Sequence, residues 1–192
     1  MAMSRILIVQ GHPDPAGKHF CQALAQAYAE GAAEGGHETR SIEVSRLDFA
    51  LLRSMAEFEK GEPPPDIKTA QESVLWAEHL VVIFPLWLGS MPALLKGFFE
   101  QCLRPGFAYG YRPRGFPIQK LKGRSARIVV TMGMPGLMYR WWYGAHGLKS
   151  LRRNILGFVG IAPIRDTLFG MIDPKRAPRM LAAMRALGRK AG

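Results

Sequence analysis

Cysteine is scarce: Cys21 and Cys102 are the only two in 192 residues. They form no CxxC pair, which excludes a disulfide-stapled scaffold and a cysteine-built zinc site and implies a reducing compartment. Long apolar runs are missing as well. No stretch approaches the roughly 20 residues that a membrane span requires, and the apolar run in MAMSRILIVQGH is too short for a signal peptide. A cytoplasmic protein is expected. Acidic residues are few, 15 Asp and Glu against 26 Lys and Arg, leaving a formal charge of +11. Such an excess invites nucleic acid or an anionic membrane face. The basic residues are dispersed, however, and no zinc finger, helix-turn-helix or RNA-binding strand motif accompanies them. A solvated basic surface is expected, with no nucleic-acid partner. Two nucleotide fingerprints are also absent: GHPDPAGK is neither G-x-G-x-x-G nor a Walker loop.

What is present is a series of short buried runs. Leu80-Val81-Val82-Ile83-Phe84 is apolar, β-branched and too short for a helix, which is the pattern of a strand covered on both faces. Arg5–Gln10 and Ala126–Thr131 read the same way, Glu38–Val44 and Ile161–Phe169 less cleanly. Helices are predicted from Phe20 to about Gly31, over Asp66–Ala77, from Leu94 to Leu103, in the second half of Tyr139–Leu156, and over Pro174–Gly188. Ser90 is read as a cap for the helix at Leu94. Residues 104–122, with three prolines, are read as a long functional loop. With 48% hydrophobic residues and no internal repeat, one α/β domain spanning 1–192 is expected, its parallel sheet covered on both faces.

Three of these strands lead into unusual loops: GHPDPAGK, PLWLGSMPA and TMGMPGLM. Ligands of open α/β sheets lie at the strands' carboxyl ends. A glycine-containing turn entering a helix offers N–H groups to an anion, and Lys18 and His19 add charge beside it. The second loop brings large apolar side chains, and the third sets Gly133 and Gly136 among methionines. Taken singly, each loop also reads as ordinary packing or an ordinary turn. Taken together, they suit a planar heterocycle such as flavin. Tyr139 and His146 stand seven positions apart and on one helix would share a face, a plausible proton or charge partner.

The segments ILIVQGHPDPAGKHFCQAL, LVVIFPLWLGSMPALLKGFFEQCLRPGFAYGY and VVTMGMPGLMYRWWYGAHG also carry a resemblance. In order and spacing they resemble the NAD(P)H:quinone oxidoreductases of the flavodoxin-like fold, the DT-diaphorase-like family. The resemblance implies a three-layer sandwich on a five-stranded parallel sheet of order 2-1-3-4-5. It implies a homodimer with FAD or FMN at the subunit interface, the balance tipping to FAD, and NAD(P)H as co-substrate. The acceptor would be a quinone-like small molecule, reduced by two electrons in a ping-pong cycle.

By that resemblance the loop from His12 through Lys18, His19 and Phe20 holds the flavin phosphate. Pro85, Leu86, Trp87 and Leu88, with Thr131, Met132, Gly133 and Met134, line the ring. Tyr139 and His146 stabilise the charge that builds on it, and Tyr109 and Tyr111 close the substrate pocket from the partner subunit. The chain departs from the family pattern at several of these positions. Lys18 and Cys21 replace a hydroxyl residue and an asparagine in a longer phosphate loop, and Leu88 and Gly89 replace aromatics. Met132 and Met134 interrupt a Thr-Gly-Gly pattern, and Tyr139 and His146 are more widely spaced. The family also contains ancillary flavoproteins of potassium-efflux transporters. A regulatory role of that kind, with peripheral membrane or transporter contact through the basic surface, is the alternative.

Overall fold

The computed structural model describes residues 3–112, 114–115 and 117–192. Pro113 and Phe116, both in the loop expected over 104–122, lie outside the described residues. The strands are β1 (Arg5–Gln10), β2 (Glu38–Glu43), β3 (His79–Pro85), β4 (Tyr109–Gly110), β5 (Ile118–Gln119), β6 (Ser125–Met132) and β7 (Ile164–Gly170). The α-helices are α1 (Phe20–Glu34), α2 (Met55–Lys60), α3 (Pro65–Trp76), α4 (Ala93–Cys102), α5 (Gly136–Trp141), α6 (His146–Ser150) and α7 (Ala177–Arg189).

Five strands form one parallel sheet in the order β2-β1-β3-β6-β7. Counting that sheet's strands alone, this is the expected 2-1-3-4-5, the flavodoxin-like order. The period-two alternation of β1 and β3 divides their side chains between two cores. Ile6, Ile8, Val81 and Ile83 join Leu24, Tyr28 and Met184 on the α1 and α7 side. Leu7, Val9, Val82 and Phe84 join Ile67, Leu95 and Phe98 on the α3 and α4 side. A helix layer therefore covers each face. Helices α1 and α7 approach closely because Gly188 has no side chain: a Cβ there would lie 2.0 Å from the Tyr28 carbonyl oxygen.

Three local expectations change. Ser90 caps no helix; α4 starts after Pro92, and Ser90 closes a tight turn with Trp87 through N–H···O bonds of 2.9 and 3.0 Å. Helix also occurs at the start of the Tyr139–Leu156 segment, where α5 runs through Trp141 before the chain turns into α6 at His146. The 104–122 loop contains a small antiparallel pair, β4 with β5. Helix α2, not expected, is announced by Ser54-Met55-Ala56-Glu57, where the Ser54 hydroxyl accepts the Glu57 N–H at 3.1 Å.

Candidate functional site

Strands β1, β3 and β6 are neighbours in register, with Gln10 opposite Ile83 and Pro85 opposite Thr131. Their following loops therefore leave the same edge of the sheet, at the carboxyl ends where ligands of this architecture lie. Side chains and backbone join the loops directly. The His12 ring meets the Trp87 ring edge-on, with centroids 6.1 Å apart. Cys21 Sγ at the start of α1 is 3.3 Å from Thr131 Oγ1 at the end of β6. The Leu86 N–H donates to the Thr131 carbonyl at 2.8 Å.

The first loop is held by its own polar groups. The Asp14 N–H donates to His12 Nδ1 at 3.2 Å, and Asp14 Oδ1 accepts the Ala16 N–H at 2.8 Å. The other carboxylate oxygen lies 2.8 Å from His19 Nε2. The His12 and His19 rings stack, with centroids 3.7 Å apart and planes 12° from parallel. Burial, then the neighbouring His19 charge, lowers the His12 pKa. The Ala16 N–H, then His19, lowers that of Asp14. Gly17 and Lys18 both take left-handed backbone, at φ 71° and 78°. Lys18 is exposed, and α1 opens with no acidic residue in its first turn. The leading N–H groups of a helix lack intrahelical partners, so this end of α1 presents donors beside the exposed Lys18, while the Asp14 carboxylate is engaged by His19 and the Ala16 N–H.

The second loop is the turn Trp87–Ser90, with Leu88 at φ 47° and Gly89 at φ 81°. A left-handed leucine is strained, and here its side chain is fully exposed while Trp87 is half-exposed. Pro85 and Leu86, below the turn, are partly buried. In the third loop the Thr131 and Met132 side chains are buried, Met134 is partly buried, and Gly133 faces open space: a Cβ there or at Gly89 would meet nothing within 4 Å.

Tyr139 and His146 do not share a helix. Left-handed Gly144 (φ 65°) and Ala145 (φ 48°) break the chain between α5 and α6, so the seven-residue spacing does not put them on one face. Tyr139 is buried, with 1% of its surface exposed, and its hydroxyl donates to the Gly89 carbonyl at 3.2 Å while accepting the Leu148 N–H at 3.2 Å. Burial raises its pKa. His146 is exposed on the first residue of α6, its ring over Gly144. Gly147, next in the chain, packs so closely on the second loop that a Cβ would lie 2.4 Å from the Gly89 oxygen.

Tyr109 and Tyr111 do not join this edge within one chain. Tyr109 is buried against Phe158, at 4.9 Å between centroids, and Tyr111 crosses it at 5.5 Å with its own ring exposed. Sequence reasoning missed Asp14, Gly89 and Gly147. The signals were local: an Asp two residues after a His in a proline-rich loop, and a Leu-Gly-Ser turn.

Among the described residues no group of His, Cys, Asp or Glu side chains is arranged to hold a metal ion, and no helix is long and apolar enough to cross a membrane. Both cysteines are free and buried, and burial raises the Cys21 thiol to a pKa of about 11.

Comparison with known proteins gives the family and its neighbours. A family described as flavodoxin-like fold matches residues 4–190. A Haemophilus influenzae protein named as an uncharacterized NAD(P)H oxidoreductase is 26% identical over 182 residues, covering 91% of this chain and 89% of that one. An FMN-dependent NADH:quinone oxidoreductase of Nitratidesulfovibrio vulgaris is 27% identical over 208 residues, covering 96% and 97%. The solved NAD(P)H:quinone oxidoreductase from Methanothermobacter marburgensis superposes with a TM-score of 0.79 at 25% identity over the full length of both chains. All three are named as oxidoreductases, and none as a transporter-linked protein.

Proposed function

The chain belongs to the flavodoxin-like family that spans its residues 4–190, and on that footing we propose that it is a flavin-dependent NAD(P)H:quinone oxidoreductase. The observation that carries this reading is the meeting of three loops at one sheet edge, joined by His12 with Trp87 and by Cys21 with Thr131. The residues present fit the group. Open space above Gly89 and Gly133 leaves room for a flat ring, the exposed Trp87 and Leu88 supply apolar walls, and the start of α1 supplies donors for a phosphate. A flavin held there would supply two-electron chemistry between reduced nicotinamide and the acceptor.

The chain's own residues hold and tune that group. Lys18, His19 and His12, with the first N–H groups of α1 at Phe20, bind the phosphate. Pro85, Leu86, Trp87 and Leu88 shield one part of the ring from water. The backbone of Thr131, Met132, Gly133 and Met134 would line the ring, since the Thr131 and Met132 side chains are buried away from it. His146, exposed next to Gly147 where α6 packs on the Gly89–Ser90 turn, would compensate negative charge on a reduced ring. Tyr139 acts from below by fixing Gly89 and the start of α6.

Tyr109 and Tyr111, which pack on each other and on Phe158 in their own chain, serve the site of a second copy, and the working form is a homodimer. The flavin is FMN or FAD; FMN is the form named for the Nitratidesulfovibrio relative. The two free thiols and the dependence on reduced nicotinamide fit a cytoplasmic setting. The test is steady-state oxidation of NADH and NADPH by flavin-loaded protein with menadione. Parallel double-reciprocal lines are expected; flavin-loaded protein that transfers no electrons to quinones would overturn the proposal.

A further inference from the structure

The first loop gathers two histidines around one carboxylate. The His12 and His19 rings lie 3.7 Å apart between centroids, their planes 12° from parallel. The Asp14 N–H donates to His12 Nδ1 at 3.2 Å, and Asp14 Oδ2 lies 2.8 Å from His19 Nε2. Asp14 thus touches both rings, one through its backbone and one through its side chain. Its other carboxylate oxygen accepts the Ala16 N–H at 2.8 Å, so the carboxylate is itself fixed by the turn it closes.

These bonds determine what the rings offer. His12 Nδ1 is an acceptor, which leaves the proton on Nε2 and makes that nitrogen a neutral donor. His19 Nε2 faces a carboxylate, which holds its proton in place. The stacked rings do not converge on one point, and among the described residues no group of His, Cys, Asp or Glu side chains is arranged to hold a metal ion. Other charges nearby are few. Trp87, edge-on to His12, carries none, and Arg46, whose Nη2 reaches the Pro15 carbonyl at 3.5 Å, is paired with Glu43 at 2.6 Å. Lys18, next to His19 in the chain, is exposed.

Two imidazolium charges stacked this closely repel each other. Burial first, then the His19 charge, accordingly lowers the His12 pKa from its usual 6.5. The empty loop therefore holds fewer protons than two independent histidines would. An anion beside the pair offsets that repulsion, because its negative charge favours the charged form of each ring. We propose that Asp14, His12 and His19 form a proton-linked phosphate clamp: Asp14 positions both rings, and a phosphate group binds together with a proton that the stacked pair takes up. The clamp makes the loop selective for a phosphorylated flavin over the bare ring system. That the phosphate belongs to a flavin rests on the function proposed above; proton uptake with a phosphate does not. Because the complex holds more protons than its separated parts, affinity falls as pH rises between the free and the bound pKa of the pair, an interval that opens below 6.5.

The experiment is isothermal titration of flavin-stripped protein with FMN, FAD, riboflavin and inorganic pyrophosphate, in buffers of unlike ionisation enthalpy, from about pH 6 to about pH 8. With the phosphate-bearing ligands the wild type should take up about one proton more than His12→Gln or His19→Gln, a difference in which the ligand's own titration cancels. The ratio of wild-type to variant affinity should fall at least about tenfold across the same interval. Riboflavin should show neither effect. Asp14→Ala should weaken the phosphate-bearing ligands at every pH and leave riboflavin binding unchanged. Proton NMR gives a second readout: on addition of pyrophosphate the C2–H signals of His12 and His19 should titrate at higher pH, with those of His37, His79 and His146 unmoved. Equal proton uptake in wild type and variants, or tighter phosphate binding in Asp14→Ala, overturns the clamp. Failure of every phosphate-bearing ligand to bind overturns it as well. Pyrophosphate bound with proton uptake, but no flavin bound, would count against the proposed cofactor and leave the clamp standing; flavin bound without that uptake would do the reverse.

Discussion

The hydroxyl of Tyr139 donates to the carbonyl of Gly89 across 3.2 Å and accepts the N–H of Leu148 at the same distance. One buried phenol thus connects the turn after β3 to helix α6, two segments that are far apart in sequence. Tyr139→Phe removes both bonds and leaves a backbone donor and acceptor without their partner. The apoprotein should lose about 1–3 kcal/mol of stability, read as a lowered urea midpoint, and release its flavin faster. A residue that acted on the flavin alone would leave apoprotein stability unchanged.

His146 presents the opposite case. Its side chain is exposed and makes no hydrogen bond among the described residues. His146→Ala should leave stability within about 0.5 kcal/mol and retain the flavin, yet slow flavin reduction in stopped-flow, because the charge it answers appears only on reduction. An unchanged reduction rate would remove His146 from the catalytic account.

Two glycines separate space for a ligand from space for packing. At Gly133 a Cβ meets nothing within 4 Å, so Gly133→Ala should leave the apoprotein's melting temperature nearly unmoved while weakening flavin affinity at least about tenfold. At Gly147 the same methyl would lie 2.4 Å from the Gly89 oxygen. Gly147→Ala should destabilise the apoprotein by about 1–3 kcal/mol. Calorimetry and fluorescence titration of both variants check the contrast; equal effects on stability would contradict it.

His79 governs an acid limb of stability remote from the site. Its Nδ1 lies 2.7 Å from Ser125 Oγ, and its Nε2 is buried without a partner among the described residues. Burial, then the charges of Arg127 and Arg165, lowers its pKa from 6.5 to about 4. Because the folded value lies below the unfolded one, the unfolded chain binds the extra proton in that interval, and stability rises with pH across it. The contribution is complete above about pH 6.5 and lost as pH falls through 4, on the order of 3 kcal/mol. Urea midpoints measured across this window should slope for the wild type and flatten for His79→Gln.

Much of this was readable from the residues. The β-branched runs of β1, β3 and β6 identify strands covered on both faces, and their loops identify the working edge, because parallel neighbours end on the same side. Less readable was anything set by a turn's handedness. Tyr139 and His146 look like one helical face until Gly144 and Ala145 take left-handed backbone, and of the two only the glycine signals it in sequence. Ser90 has the chemistry of a helix cap, but Leu88-Gly89 before it turns the chain first. The stacking of His12 on His19 depends on how Gly17 and Lys18 bend the loop, which no periodicity reports.

The central claim is that three loops hold one flavin. The most direct measurement is the visible absorbance spectrum of the purified protein, with mass identification of what it releases on denaturation. A yellow protein releasing FMN or FAD in stoichiometric amount, and losing that colour in Gly133→Ala, is the expected result. A colourless protein that takes up neither flavin when supplied in excess would contradict the account.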